Sequence, residues 1–165
     1  MYYEYGIDIK GLDEWEVSLV KVVGGFIWLG FSEQEPHKML CISADKETIF
    51  DCEKGTVSPT KCVFDENERT AVCAELKDEI INICGQYGGE LPHKTAQGEK
   101  LSSVKREEFK YGKTLVREEV TFTVKNGSSF LVYEGYAPYI YGFSPDGNYF
   151  VFATDGALTV LKRKQ

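Results

Sequence analysis

With only two histidines in 165 residues, the chain has little imidazole for catalysis or metal binding. His37 follows Pro36 and His93 follows Pro92, so both read as exposed turn residues, and no His-x-x-x-His or Cys/His grouping surrounds either. Five cysteines, Cys41, Cys52, Cys62, Cys73 and Cys84, make an odd number without a Cys-x-x-Cys pair. Their spacings of ten or eleven residues fit neither zinc nor a disulfide framework, so they read as buried free thiols in a reducing compartment. A hydrolase elbow is missing too: Gly142-Phe143-Ser144-Pro145-Asp146 has Asp where the last glycine should be. The most apolar window, 17–31, is interrupted by Lys21 and Gly24-Gly25 and is too short to span a bilayer. The start, Met1-Tyr2-Tyr3-Glu4-Tyr5, lacks the basic and apolar regions of a secretory leader. These absences point to a soluble, cytoplasmic protein with no metal site, no cofactor and no catalytic residue to nominate.

Acidic charge is abundant and unevenly placed. The net charge is −7, and residues 1–90 hold 18 acids against 8 bases while residues 91–165 hold 8 acids against 11 bases. An acidic total argues against nucleic acid as a partner, because phosphate binding relies on basic side chains that displace counterions. The basic stretch Lys94, Lys100, Lys105, Arg106, Lys110, Lys113 and Arg117 is diluted by Glu99, Glu107 and Glu108. It reads as a solvated strand edge kept from aggregating by its lysines.

Period and turn chemistry predict an α+β fold: antiparallel sheets built from hairpins, with one central amphipathic helix over about 66–87 packed on a sheet face. A first hairpin block covers 1–64, with Gly24-Gly25 as the turn between strands 16–23 and 26–31. Asp65 has the look of an N-cap with Glu68 three residues on, and Val72, Leu76, Ile80, Ile83, Cys84 and Tyr87 recur at helical spacing before Gly88-Gly89. Gly85-Gln86-Tyr87-Gly88-Gly89 falls at the C-terminal end of that helix, where the dipole repels phosphate. A loop or hinge at 91–100 precedes a second hairpin block at 101–162, where Asn126-Gly127 is the strongest turn signal. The whole reads as one domain.

Two stretches resemble each other. Residues 27–50 and 139–160 align at a spacing of 112, with Gly30-Phe31-Ser32 against Gly142-Phe143-Ser144, an apolar strand after each, and Asp45 against Asp155. The run Gly142-Phe143-Ser144-Pro145-Asp146-Gly147-Asn148-Tyr149 through Asp155-Gly156 also resembles one outer hairpin of a WD-type propeller blade. Two such units are too few for a propeller, and no function comes with the resemblance.

Function is read from surface character. The leading expectation is a non-catalytic protein-binding module, in its sharpest form an acidic immunity or inhibitor protein that caps a basic partner such as a toxin. Its candidate partner-binding residues are Glu33, Glu35, Asp45, Asp51 and Glu53, with Tyr139 and Tyr141 as anchors from an aromatic-rich stretch. The alternative is a small-molecule binder or enzyme with a pocket between sheet and helix. A subunit of a larger β assembly is a third possibility. Neither nucleic acid nor membrane is expected as a partner.

Overall fold

The computed structural model describes residues 6–155 and 157–165, and strands occupy 55% of it against 3% in helical turns. The first nine strands are β1 (Trp15–Lys21), β2 (Phe26–Phe31), β3 (Lys38–Ser43), β4 (Glu47–Asp51), β5 (Thr56–Pro59), β6 (Cys62–Asp65), β7 (Thr70–Cys73), β8 (Ile81–Asn82) and β9 (Cys84–Gly85). The rest are β10 (Lys100–Lys110), β11 (Lys113–Thr123), β12 (Ser129–Tyr136), β13 (Ile140–Phe143), β14 (Tyr149–Ala153) and β15 (Leu158–Arg163). They form four sheets in the orders β10-β11-β12, β1-β15-β14-β13, β5-β4-β3-β2-β9 and β6-β7-β8. Every pairing between them is antiparallel.

Side-chain alternation sets the layering. Along β14, Tyr149, Val151 and Ala153 enter one apolar cluster while Phe150 and Phe152 enter another. β3 divides likewise, Met39 and Cys41 to one side and Leu40 and Ile42 to the other. Every residue of β13 and β14 is buried, as a strand covered on both faces requires. The four sheets therefore stack. One core joins the β10-β11-β12 sheet to the β13-β14-β15 sheet through Val120, Phe122, Phe143 and Phe150. A second joins the two inner sheets through Leu29, Met39, Phe50 and Val151. The third joins the β2-β3-β4 sheet to the outer β6-β7-β8 sheet through Trp28, Leu40, Ala71 and Ile81.

The two similar stretches occupy matching places. Residues 27–50 run through β2-β3-β4 and 139–160 through β13-β14-β15, and a fourth strand, β5 or β1, closes each meander. Both Gly-Phe-Ser triplets end a strand on a buried serine, whose Oγ accepts a backbone N–H: from Glu35 at 2.9 Å for Ser32, from Tyr149 at 3.1 Å for Ser144. Both glycines admit crossing chain. A Cβ on Gly30 would lie 2.4 Å from the Asn82 carbonyl, and one on Gly142 would lie 2.4 Å from Leu91 Cβ. Gly156 of the Asp155-Gly156 turn and the whole Met1–Tyr5 start lie outside the described residues.

The fold is nearly all β, and the central helix expected over 66–87 does not form; this corrects the α+β class. In its place are β7–β9 and a 3-10 turn, Ala74–Leu76. Asp65 does cap, but it caps a strand-to-strand turn: its Oδ1 accepts the N–H groups of Asn67 at 2.9 Å and Glu68 at 3.1 Å. The residues counted as one helical stripe part company, with Leu76, Ile83 and Cys84 buried while Ile80 and Tyr87 are exposed. β-Branched Thr70, Val72, Ile81 and Ile83 suit strands, and consecutive left-handed residues at Lys77 and Asp78 would break any helix. Gly24-Gly25 links two sheets, since β1 pairs with β15 and not with β2.

The 91–100 segment is packed into the fold. Leu91 and Glu99 are buried, and the Leu101 N–H donates to the His93 carbonyl at 2.8 Å. Arg163 donates to both Glu99 oxygens, at 2.7 Å and 3.1 Å, and lies 4.4 Å over the Trp15 ring. Trp15 Nε1 and Thr95 Oγ1 donate to the same carboxylate at 3.3 Å and 3.0 Å. Burial works against the Glu99 charge, but the Arg163 hydrogen bonds and charge, together with the bonds from Thr95 and Trp15, outweigh it and hold the carboxyl below its ordinary range.

Candidate partner-docking surfaces

The seven nominated residues do not share one surface. Glu33 and Glu35 stand in the β2–β3 turn, where the Glu33 N–H donates to Glu79 Oε2 at 2.8 Å and Glu35 pairs with Lys38 at 3.4 Å. Asp51 and Glu53 are at the same end of the sheet, because the Cys52 N–H bonds the His37 carbonyl across the two turns. Both are engaged internally. Asp51 Oδ1 caps the N–H groups of Glu53 and Lys54, while Glu53 accepts from the Tyr149 hydroxyl at 2.8 Å and from Gln165 at 2.7 Å. Asp45 lies in the β3–β4 turn at the far end.

The two tyrosine anchors belong to packing. Tyr139 stacks on Phe26 at 5.9 Å and donates to Asp155 at 3.1 Å. Tyr141 is buried, stacked between Phe152 and His93. His93 is thus half-buried, its ring 4.6 Å from that of Tyr141 and nearly parallel to it, instead of the exposed turn residue its sequence context suggests.

The surface features with the clearest docking character lie on the two outer sheets. On β6-β7-β8, Cys62, Ala71, Cys73 and Ile81 face inward, which turns Val63 and Val72 outward as a cross-strand pair. Val63 is 81% exposed and the neighbouring Ile80 69%. Residues 62–82 carry six acids and two bases, and Asp65 and Glu66 lie beside this apolar surface. A shallow depression of about 580 Å³ opens here, lined by Val63, Phe64, Val72, Asp65 and Glu66. Glu66 is also held from below, accepting from the buried Trp28 indole at 3.0 Å.

On the opposite outer sheet, β12 pairs with β11 only as far as Arg117, across from Arg106 of β10. Past that pair the Ala137 N–H still donates to the Val116 carbonyl at 3.0 Å, and β10 and β11 run on as a two-stranded arm, four residues per strand, reaching about 13 Å. Tyr111 and Gly112 form its tip, both with positive φ, as the two-residue hairpin turn demands. Tyr111 is 85% exposed and Phe109 74%. Neither outer-sheet site was among the nominated residues. The Val63/Val72 alternation was masked by an apparent helical period, while the equal eleven-residue lengths of β10 and β11 about Tyr111-Gly112 were a usable hairpin signal.

With no helix of seven or more residues among the described residues, the expected pocket between sheet and central helix has no place. A cleft of about 420 Å³ opens instead beside the glycine crossings, lined by Glu33, Glu68, Glu90 and Arg69 with Cys84 at its wall. Burial pushes the Cys84 thiol up to about 12, so at neutral pH it carries a proton and is a poor nucleophile. Cys41 is also raised to about 12 by burial, and Cys62 to about 12 by burial and the Glu47 carboxylate. All five cysteines are free, and Cys62, half-buried, faces Cys73 in the β6–β7 register. A thiol probe such as Ellman's reagent should label the native protein slowly, with Cys62 first, and label five thiols at once on unfolding; rapid native labelling at Cys41 or Cys84 would contradict this placement.

Among the described residues, no group of three or more His, Cys, Asp and Glu side chains is arranged to hold a metal ion. No helix among them is long and apolar enough to cross a membrane. Compared with known proteins, the chain matches no family model, no curated protein and no solved structure.

Proposed function

We propose that this chain is a non-catalytic module that binds a basic protein through the outer face of its β6-β7-β8 sheet. The observation that supports it is the outward row of Val63, half-buried Val72 and exposed Ile80 on an outermost layer, with Asp65 and Glu66 beside it. Exposed apolar side chains supply the area that drives association, and surrounding carboxylates steer a cationic partner and reject an anionic one. In its sharpest form the module is an inhibitor whose carboxylates stand in for the phosphates that a basic active site would bind. Glu33 lies beside this surface through its bond to Glu79, and it is the nominated residue most directly placed to contribute.

The test is affinity capture from the native host, with the captured protein identified, purified and measured kinetically. Its association rate should fall about tenfold or more from low to high salt. Glu68→Lys with Asp78→Lys should slow association, and Val63→Arg should weaken affinity by about tenfold or more while leaving the melting temperature unchanged. A salt-independent association rate, or full affinity in Val63→Arg, would overturn the reading.

A further inference from the structure

The acidic sheet is one outer face of the stack; the arm rises from the other. Two-stranded ribbons are marginal in water, and one that carries Phe109 and Tyr111 at its end keeps apolar area exposed without covering anything of its own sheet. Its charge is opposite to that of the body. Residues 105–117 hold five bases, Lys105, Arg106, Lys110, Lys113 and Arg117, against Glu107 and Glu108, in a chain whose total is −7. Part of this charge is internal, since Glu108 pairs with Lys110 at 2.8 Å and Arg106 with Glu119 at 3.0 Å.

We infer that the arm tip docks into the Val63/Phe64/Val72 depression of a second copy of this chain, joining molecules head to tail. The chemistry of the two sites is complementary in both respects. Phe109 and Tyr111 meet an apolar floor, and Lys105, Lys110 and Lys113 meet Asp65 and Glu66 at its rim. None of the three apolar clusters spans the first and fourth layers, so arm and depression stand on the two outer sheets of one molecule. A contact between unlike surfaces leaves one arm and one depression open in every dimer, so growth continues unless a ring closes. The inference shares with the proposed function only the reading of the depression as a docking site. Partner and second copy would compete for it.

Sedimentation velocity of the purified full chain, over a range of concentrations at low and high salt, tests this without any partner. Wild type should self-associate at low salt and dissociate at high salt. Phe109→Thr with Tyr111→Asn keeps strand propensity and a residue that tolerates positive φ, and should weaken association about tenfold or more. Val63→Arg should do the same from the acceptor side. The decisive arm mixes the two variants: each alone is monomeric, but together they should form a one-to-one dimer that grows no further, because only one intact arm and one intact depression remain. Wild type that stays monomeric, a mixture that forms no dimer, or an arm variant that keeps its association overturns the inference. So does loss of anionic-vesicle binding in the arm variant with self-association intact, which would make the tip a membrane element. If the mixture test fails while the basic partner still binds, the proposed function stands alone.

Discussion

Gly142→Ala is expected to lower stability by about 3 kcal/mol or more, a large share of the 5–15 kcal/mol typical of a domain. The added methyl would lie 2.4 Å from Leu91 Cβ and 2.8 Å from the Pro92 carbonyl, both in a segment that is itself pinned. The Phe143 N–H donates to that same carbonyl at 2.8 Å, so the crossing chain cannot back away without breaking a buried bond. Gly142 also has φ of +153°, a backbone conformation that alanine rarely adopts. Gly112→Ala at the arm tip separates the two effects: its φ is +74° but nothing lies within 4 Å of the new methyl. It should cost only about 1 kcal/mol. Urea denaturation with an unchanged slope measures both, and equal losses would show that the crossing does not constrain Gly142.

Arg163→Ala is expected to cost about 3–5 kcal/mol, because it leaves Glu99 buried without its charge partner. Wild-type Glu99 titrates below its unfolded value of about 4.3, so its contribution is complete above that pH and is lost as pH falls through the folded value. In the variant, the uncompensated carboxylate should titrate above its unfolded value, and the sign reverses: acidification from neutral pH toward 4 should recover stability. Denaturation midpoints across that range distinguish the two behaviours. A variant whose stability falls on acidification as wild type's does would contradict the assignment of Arg163 as the group that stabilises the Glu99 charge.

The strand pairs joined by explicit turn chemistry were legible from residues alone. Asn126-Gly127 makes the β11–β12 connection with Gly127 at φ +94°, and Pro145-Asp146-Gly147 makes the β13–β14 connection with Gly147 at φ +73°. The error at 66–87 has a physical source. Short strands that send Val72 outward and Ala71 and Cys73 inward, then turn at Lys77-Asp78, place apolar residues three or four apart by accident of loop length. Asp65 caps a turn by the same hydrogen bonds with which it would begin a helix, so the local signal is shared by both outcomes. Which sheet a strand joins is a nonlocal property, and nothing within 15–31 distinguishes β1 pairing with β2 from β1 pairing with β15. The nominated carboxylates illustrate the same limit: Glu53 looks like a solvated turn acid in sequence, yet its partners, Tyr149 and Gln165, lie 96 and 112 residues away. The aromatic-rich stretch that suggested anchors at Tyr139 and Tyr141 serves the core, where Phe143, Phe150 and Phe152 have no solvent exposure.

The most direct measurement is capture from the native host with wild type, Val63→Arg and the Phe109→Thr/Tyr111→Asn arm variant compared side by side, followed by identification of what is retained. A docking role for the acidic outer sheet requires a basic protein held by wild type and by the arm variant, released by salt, and lost with Val63→Arg. Retention of the same protein by Val63→Arg at undiminished affinity, or a captured partner with no basic surface, would contradict it.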